Sequence, residues 1–522
     1  MIKYLFKRLL HGLVSLVAVV MIVMILVYSL MDRTLIFSTD PLYSKQLNNN
    51  KTVYMYSRWE QYGYLDFVSY ADYLNILVKN GELTEDVKAL AVKLGRTSDK
   101  DSAETKQYSQ MFTEYYESMG YKVKRLDAVM LVNKVANGGQ PQLFAYKDYS
   151  VLSRLASYFG GLFKIDNIHA VEGYPGERGL TFTLHDPVYG GEKLSPAIIG
   201  SGTNHRYLFY VDGEFPYIHQ NFLTISLGTS FVVNKGIDVF DTMTNTQGSY
   251  RLEEQTFPSG LTEMTADNLH SAKYAAGSLD KSAVFAGRFV DDYTDVTTFK
   301  QNMSKVGYSF VIGIIATIMA YLLGLPLGII MAKNKDKLID KLGTLYIIFI
   351  IAVPSLAYIF MFKAIGGAFG LPTTFVMDTA SKAMFVLPII SLALPSIANL
   401  MKWMRRYMID QMNSDYVKFA RSGGLTESEI FSQHISKNAM IPIVHGIPGS
   451  ILGAITGAII TERVYVVPGA GNLLTKAINA YDNGVIIGLV MFYALLSIVS
   501  IILGDILMSL VDPRISFETK DR

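Results

Sequence analysis

Long apolar runs dominate the two ends of this chain, and a shorter-period pattern fills the space between them. Charge-free stretches occupy Leu9 to Met31, Val306 to Ala332, Leu342 to Phe362, Ala383 to Met401 and Ala439 to Thr461, and Val485 to Val511 is interrupted only by Asp505. Each is long enough to cross a hydrocarbon core as a helix, which takes roughly 20 residues. After the first run the periodicity changes. From Arg58 to Asn137 apolar positions recur at helical spacing, as in Tyr64, Phe67, Val68 and Leu74, Leu77. Farther on, Thr181 to Leu184, Tyr207 to Val211 and Phe231 to Val233 are short β-branched or aromatic runs. Turn clusters at Gly190-Gly191, Gly200-Ser201-Gly202 and Asp212-Gly213 separate them. The pattern predicts an α-helical polytopic membrane protein with six transmembrane helices and an α+β domain between helices 1 and 2.

Orientation follows from Lys and Arg in the short connections, where positive residues decide topology. One side carries Lys3, Lys7, Arg8, then Lys333, Lys335, Lys337, Lys341, then Lys402, Arg405, Arg406, Lys418, Arg421, Lys437, and finally Arg514, Lys520 and Arg522. The other short loops hold Lys363, Lys382, Arg463 and Lys476. Both termini are therefore expected in the cytoplasm. The divisions are a first transmembrane helix in 1–31, an extracytoplasmic domain in 32–305, and a membrane core in 306–522 with helices at 306–332, 342–362, 383–401, 439–461 and 485–511. The first run reads as a retained anchor, because its apolar core exceeds a signal-peptide h-region and Tyr28 to Arg33 offers no small-residue cleavage site.

Composition fits this division. With 50% hydrophobic and 18% charged residues, the 522-residue chain is too apolar for an ordinary soluble protein and too charged to lie wholly in a membrane. From Arg33 to Lys300 there are 26 Lys plus Arg against 31 Asp plus Glu, so the positive excess lies on the cytoplasmic side. No basic stripe with interleaved aromatics points to nucleic acid. The absence of cysteine excludes Cys-based metal or redox chemistry. His185, His205 and His219, with Asp186 and Asp212, lack helical ligand spacing, so no metal site is expected. Tyr43, Tyr54, Tyr56, Tyr62, Tyr64, Tyr70 and Tyr73 read as amphipathic core filling near the membrane interface, and Gly200-Ser201-Gly202 as a turn.

The segment 413–442 carries the most specific local signals. Asn413 and Ser414 are N-cap candidates, Asp415 opens a helix, Arg421 lies in its last turn, and Gly423-Gly424 stops it after Ser422. Thr426 and Glu429 form a capping-box pattern that starts a second helix, with Leu425 and Ile430 spaced as a staple. Tyr416, Phe419 and Ala420 share one face of the first helix. Two turns are unstable alone, so this helix needs tertiary or intermolecular support. These residues leave open whether it packs under its own bundle or meets a partner.

Lys418-Phe419-Ala420 followed by Gly424 resembles the Glu-Ala-Ala-x-x-x-Gly coupling motif of bacterial ABC importer permeases, and Ala439-Met440-Ile441-Pro442 resembles its closing element. The peptide-permease branch is similar in more detail. Its register is met by Asp415-Tyr416-Val417, Ala420-Arg421, Gly424-Leu425, His434, Asn438-Ala439 and Pro442. Glu462 with Pro468-Gly469-Ala470-Gly471, Asp505 with Asp512-Pro513-Arg514, and Leu227-Gly228-Thr229-Ser230 with Gly236 resemble further elements of the same branch. A large domain after helix 1 resembles the Ami/Opp-type oligopeptide permeases, the B-type or AmiC-like half of the pair.

The resemblance implies a type I ABC importer permease fold, a hetero-dimer with a second permease subunit, two cytoplasmic ATPase subunits, an extracellular lipid-anchored peptide-binding protein and an oligopeptide substrate in the plasma membrane. It assigns Asp415, Tyr416, Val417, Lys418, Phe419, Ala420, Arg421 and Gly424 to ATPase coupling, and Glu462, Pro468 and Gly469 to the outer gate. Gly449, Gly453 and Gly457 form a stripe that fits either a partner permease or internal packing. Pro388, Pro395 and Pro448 free carbonyls that either line a polar path or kink a helix. Asp505 reads as structural hydrogen bonding rather than a proton relay. No G-x-x-x-x-G-K-S/T loop is present, so the chain is not expected to be an enzyme or to bind a cofactor, ATP and Mg being used by the partner subunits. The alternatives are a mechanotransmitting protein acting on a cell-wall enzyme, whose usual four spans and missing coupling loop fit less well, and a dipeptide or nickel permease.

Overall fold

Pro354 divides what the apolar pattern presents as one helix. The computed structural model describes residues 2–165, 174, 177–185, 194–205, 207–211, 218–244, 246–247, 253–256, 260–265, 273–274, 293–295, 302–376 and 381–511. In it the run 342–362 forms two helices, Leu338–Ala352 and Ser355–Ala368, bent by 111°. Proline supplies no N–H and forces its predecessor out of the helical region. Val353 accordingly has φ −86 and ψ 128, and Pro354 has ψ 135. Gly190-Gly191, Asp186, Asp212-Gly213 and Asp512-Pro513-Arg514 lie outside the described residues.

The bundle helices are α1 (Ile2–Leu30), α2 (Lys305–Lys333), α3 (Leu338–Ala352), α4 (Ser355–Ala368), α5 (Val386–Met412), α6 (Asp415–Ser422), α7 (Ser436–His445), α8 (Ile447–Tyr465), α9 (Ala470–Asn479) and α10 (Asn483–Val511). By length and apolarity four can each cross a membrane, namely α1, α2, α5 and α10. The bent pairs α3 with α4, and Glu427–His445 with α8, raise the number to six if each pair is one span.

Helix α2 is the hub, and its glycines explain why. A Cβ at Gly324 would stand 2.8 Å from the Leu400 Cβ, and one at Gly328 2.8 Å from the Met404 Cβ. Their spacing of four residues keeps one face of α2 smooth, so α5 lies directly against it. Gly313 does the same toward α8, where a Cβ would meet Ile455 at 3.0 Å. At the end away from residues 32–304, Arg405 of α5 grips the buried Asp340 of α3 through two bonds of 2.5 and 2.7 Å. Asp505 of α10 is held there by Arg8 at 3.2 Å and Tyr4 at 3.1 Å of α1, which is a structural role.

Between α1 and α2 the chain forms an α+β insertion. Strands β1 (Leu65–Ser69), β2 (Lys122–Leu126) and β3 (Gln142–Asp148) make an antiparallel sheet in the order β1-β3-β2, with Leu65 opposite Asp148 and Lys122 opposite Tyr146. A second sheet runs in the order Ile218–Gln220, Tyr207–Val211, Ala197–Ser201, Gly179–Thr183. The tyrosine cluster of the insertion is core. Tyr56, Tyr62 and Tyr64 are buried with Trp59, Phe144 and Phe231, while Tyr70 and Tyr73 are buried with Phe112 and Tyr116.

Candidate functional site

Three places in the bundle concentrate unusual chemistry, one at each end and one between. At the end away from the insertion, α6 is stopped where the chain turns left-handed. Gly424 has φ +86, a region that a side chain makes costly, and a Cβ there would meet nothing within 4 Å, so backbone conformation alone selects glycine. Leu425 N–H reaches back to Ala420 O at 3.3 Å and Gly423 N–H to Phe419 O at 2.9 Å, which satisfies carbonyls the helix leaves open. The next helix starts with a reciprocal cap. Glu429 N–H donates to Thr426 Oγ1 at 3.3 Å, and Thr426 N–H donates to Glu429 Oε2 at 2.9 Å. The Thr426 hydroxyl and N–H favour the ionised form and hold the Glu429 carboxyl below its usual range. Residues Ile430–Ile435 continue as a π-helix into α7.

The expected coupling residues divide by direction. Val417 is fully buried in the same core as Ile430 and Ile435, whereas Phe419 is 80% exposed. Tyr416 and Ala420 pack partly against the chain's own core, and the Tyr416 hydroxyl donates to Gln411 Oε1 at 2.9 Å. Lys418 pairs with Asp415 at 2.8 Å, and Arg421 with Glu427 at 2.5 and 3.0 Å. Such exposed pairs add little stability. They do fix where the charges around Phe419 stand.

Midway along the bundle lies a cavity of about 290 Å³. Thr317 and Tyr321 of α2, Ser355 of α4, Ser391 and Asn399 of α5, and Ser450 of α8 contribute polar groups to a lining that is otherwise mostly apolar, and no charged side chain lines it among the described residues. The break at Pro354 brings Ser355 here, at the start of α4. Of the three prolines singled out in the sequence, Pro395 lines this space, and Gly453 faces it as well. A Cβ on Gly453 would meet nothing within 4 Å, and one on Gly449 only Ser500 Oγ at 3.9 Å. Neither position is filled by packing within the chain. Internal packing uses Gly313, Gly324 and Gly328 instead, which the sequence reading passed over.

At the insertion end two buried carboxylates organise the loops. Glu462, at the end of α8, accepts from Ser309 Oγ of α2 at 2.5 Å and from Asn472 N–H at 2.9 Å. The same serine oxygen accepts from Ala470 N–H at 2.9 Å. Glu462 thereby holds the start of α9 against α2, and Gln247 of the insertion donates to Pro468 O at 3.1 Å. The residues expected at an outer gate thus form one buried joint. Its geometry dictates the glycine, since a Cβ on Gly469 would stand 2.3 Å from Glu462 Cδ. Gly469→Ala is expected to lower the stability of the purified subunit by about 1–3 kcal/mol, the usual cost of overpacking. Gly453→Ala is the control, and its thermal midpoint should stay at the wild-type value.

Asp482 was not anticipated. It is fully buried and accepts from Ser230 Oγ at 2.7 Å and from the N–H groups of Phe231, Val232 and Val233 at 2.8, 2.9 and 2.8 Å. Successive backbone donors pointing inward make an anion nest. Here the anion is a side chain of the same protein, immediately before α10. Around it Tyr62 donates to Phe231 O at 3.1 Å, Asn483 donates to Tyr64 at 2.6 Å, and the Arg154 guanidinium lies 3.7 and 3.9 Å from the Tyr28 and Tyr64 ring centres. Lys235 reaches Asp40 at 2.9 Å and Tyr54 at 3.0 Å. Burial disfavours the Asp40 charge, but Lys235, Tyr54 and the Leu42 N–H outweigh it and hold the carboxyl below its usual range.

Residues 324–517 match the family model described as binding-protein-dependent transport system inner membrane component. The chain is 33% identical over 525 residues to the oligopeptide transport system permease protein AmiC of Streptococcus pneumoniae, with 99% of both chains covered. It is 28% identical over 270 residues to the dipeptide transport system permease protein DppB of Lactococcus lactis, covering 49% of this chain and 88% of that protein. DppB of Bacillus subtilis is 28% identical over 214 residues, 41% of this chain and 68% of its own length. Similarity to AmiC therefore takes in the insertion, whereas most of the Lactococcus protein aligns with about half of this chain.

Proposed function

The chain belongs to the binding-protein-dependent transport permeases, as a permease subunit of an ABC peptide importer, and from that premise we propose that it forms half the translocation pathway of an ATP-driven oligopeptide importer. The observation that carries this reading is the similarity to an oligopeptide permease along 99% of the chain, insertion included. The proposed partners are a second permease subunit, two ATPase subunits that bind ATP and Mg, and a lipid-anchored peptide-binding protein. In this arrangement both termini and α6 are cytoplasmic and the insertion is extracellular, as the distribution of Lys and Arg favours.

Movement enters at α6. Phe419 seats in a cleft of the ATPase, Lys418 and Arg421 meet its rim, and Val417 transmits the displacement into the core it is buried in. The bundle then alternates between outward and inward access. Gly449 and Gly453 face the second permease across the pathway. The uncharged cavity that Gly453 lines contacts the peptide through hydroxyls and the Asn399 amide, which suits a substrate recognised by its backbone.

Uptake of labelled peptides by the reconstituted complex tests the substrate class. Oligopeptides are expected to enter in an ATP-dependent manner, and uptake of nickel without peptide would overturn the reading. A selectivity variant tests the cavity. Asn399 is exposed in it, so Asn399→Asp places one carboxylate on an otherwise uncharged wall. Competition between matched peptides bearing a central Lys or Glu should shift toward Lys by about tenfold, equivalent to about 1.4 kcal/mol. Wild-type protein should transport the two within a few-fold of each other.

A further inference from the structure

A groove on the lipid-facing side of the bundle has the shape and charge of a binding site. Helices α1 and α10 touch closely at Gly12, where a Cβ would stand 2.6 Å from Ile498 Cγ2. Beside that contact they diverge to leave a space of about 680 Å³. On α1 it runs from Arg8 to Val19, along a stripe at i, i+3, i+4 spacing that includes His11 and Ser15. At about 1.5 Å per residue this is roughly 16 Å, one leaflet of a hydrocarbon core about 30 Å thick.

The two ends of the groove differ. Arg8 and His11 stand at one end, aliphatic side chains such as Leu16 and Val490 line most of the rest, and Ser15, Tyr493 and Ser497 add hydroxyls along it. Lys7 is exposed on the same turn. Arg8 contacts Asp505 and Tyr4 through Nε while its side chain stays 44% exposed, so part of the guanidinium is open to a second anion. Arg8 pairs with Asp505, and His11 lies one turn farther along the same stripe. A leaflet-length apolar trough with a cationic end fits a molecule with one acyl-chain end and one anionic end. A partner helix, by contrast, would have to bring apolar surface against Arg8 and His11.

We propose that this groove binds an anionic phospholipid, its phosphate at Arg8 and His11 and an acyl chain between α1 and α10. The inference rests on the reading of the chain as a membrane-spanning permease, with this end at the cytoplasmic leaflet where anionic lipid is found. A lipid seated there joins α1 to α10, the same pair that the Arg8 to Asp505 contact holds.

Native mass spectrometry of the purified full complex, equilibrated with equal phosphatidylglycerol and phosphatidylcholine of matched chains, tests it. Wild-type protein is expected to retain phosphatidylglycerol at least fivefold over phosphatidylcholine. Arg8→Gln should bring the ratio close to one. Because that change also disturbs Asp505, Ser15→Trp is the second variant, filling the trough while leaving the ion pair intact, and it too should abolish the preference. Equal retention of both lipids by wild-type protein, or an unchanged preference in Ser15→Trp, would overturn the proposal. So would efficient cross-linking of Ser15→Cys to the second permease, which would place a partner helix in the groove; the chain has no other cysteine to confuse the result. Lipid retention does not depend on which face is cytoplasmic. Labelling of Lys337→Cys, exposed between α2 and α3 at the same end of the bundle and away from the groove, by an impermeant reagent in intact cells reports orientation separately, so a failure of the topology is distinguishable from a failure of the lipid site.

Discussion

Phe419→Asp is expected to abolish peptide uptake and the ATPase stimulation that accompanies it, while the subunit still folds and assembles in the membrane. The side chain is 80% exposed, so replacing it removes almost no packing from the subunit itself. Its neighbours Val417, Ile430 and Ile435 are buried and hold the backbone of α6 in place whatever stands at 419. An exposed aromatic on a helix whose opposite side is buried in the core is the kind of anchor that dominates an interface. Truncating such an anchor typically costs 2 kcal/mol or more, about thirtyfold in affinity, and a charge in its pocket adds a desolvation penalty. Lys418→Ala should be mild by comparison, because Lys418 is exposed and already paired with Asp415. The measurement is ATP hydrolysis and uptake by the reconstituted complex beside its thermal midpoint. Normal uptake by Phe419→Asp would sink the coupling assignment, and a large drop in midpoint would show that Phe419 is structural after all.

Legibility along the chain followed the range of the interactions. The glycine stop of α6 and the cap at Thr426 could be read in the sequence because their partners lie within a turn or two, whereas Ser414 stands at the N-cap position but makes no cap bond, its hydroxyl donating back to Asp410 O. The division of labour within α6 could not. Helical spacing puts Tyr416, Phe419 and Ala420 on one side, but how that side sits against the π-helical segment before α7 depends on the buried Ile430 and Ile435. Pro354 was visible inside an apolar run, yet a run's composition is the same whether the helix continues or breaks. The glycine stripes show the same limit. Gly324 and Gly328 repeat every four residues just as Gly449 and Gly453 do, and only the position of α5 decides which stripe is covered.

The two buried carboxylates were the hardest to foresee. Glu462 stood out through its motif, but its partner Ser309 is 153 residues away, and Asp482 meets Ser230 across 252 residues. An isolated acid between two apolar stretches reads as an ordinary loop residue. What marks Asp482 is the donor array opposite it, three successive N–H groups that a strand or helix would normally consume. The glycines beside it are a weaker signal of the same contact. A Cβ on Gly484 would stand 1.9 Å from Thr229 O, and one on Gly488 3.0 Å from Leu227 O. The segment 227–236 is thus pressed against the start of α10, and the carboxylate supplies the acceptor its backbone needs.

Substitution of Asp482 should therefore be strongly destabilising, and Asn should rescue little. Asp482→Ala leaves the N–H groups of Phe231, Val232 and Val233 without an acceptor, at about 1–3 kcal/mol for each buried donor, so a loss of at least about 3 kcal/mol is expected even with partial rehydration. Asn preserves shape but presents an amide that donates where only donors stand opposite. Its single carbonyl oxygen serves part of the nest, and its NH₂ faces the rest. Ser230→Ala removes one hydroxyl donor to the carboxylate and the acceptor of the Asn234 N–H but leaves the three backbone bonds to Asp482 intact, so it should cost about 1–3 kcal/mol. The order Ala, then Asn, then Ser230→Ala, from worst to mildest, distinguishes a nest from a generic buried acid, for which Asn would be close to neutral. Limited proteolysis offers the local readout. In Asp482→Asn the segment 226–239 should become cleavable at protease concentrations that leave wild-type protein intact, while the contacts of α2 with α5 persist. Wild-type resistance in that variant would refute the role of Asp482 in anchoring the insertion to α10.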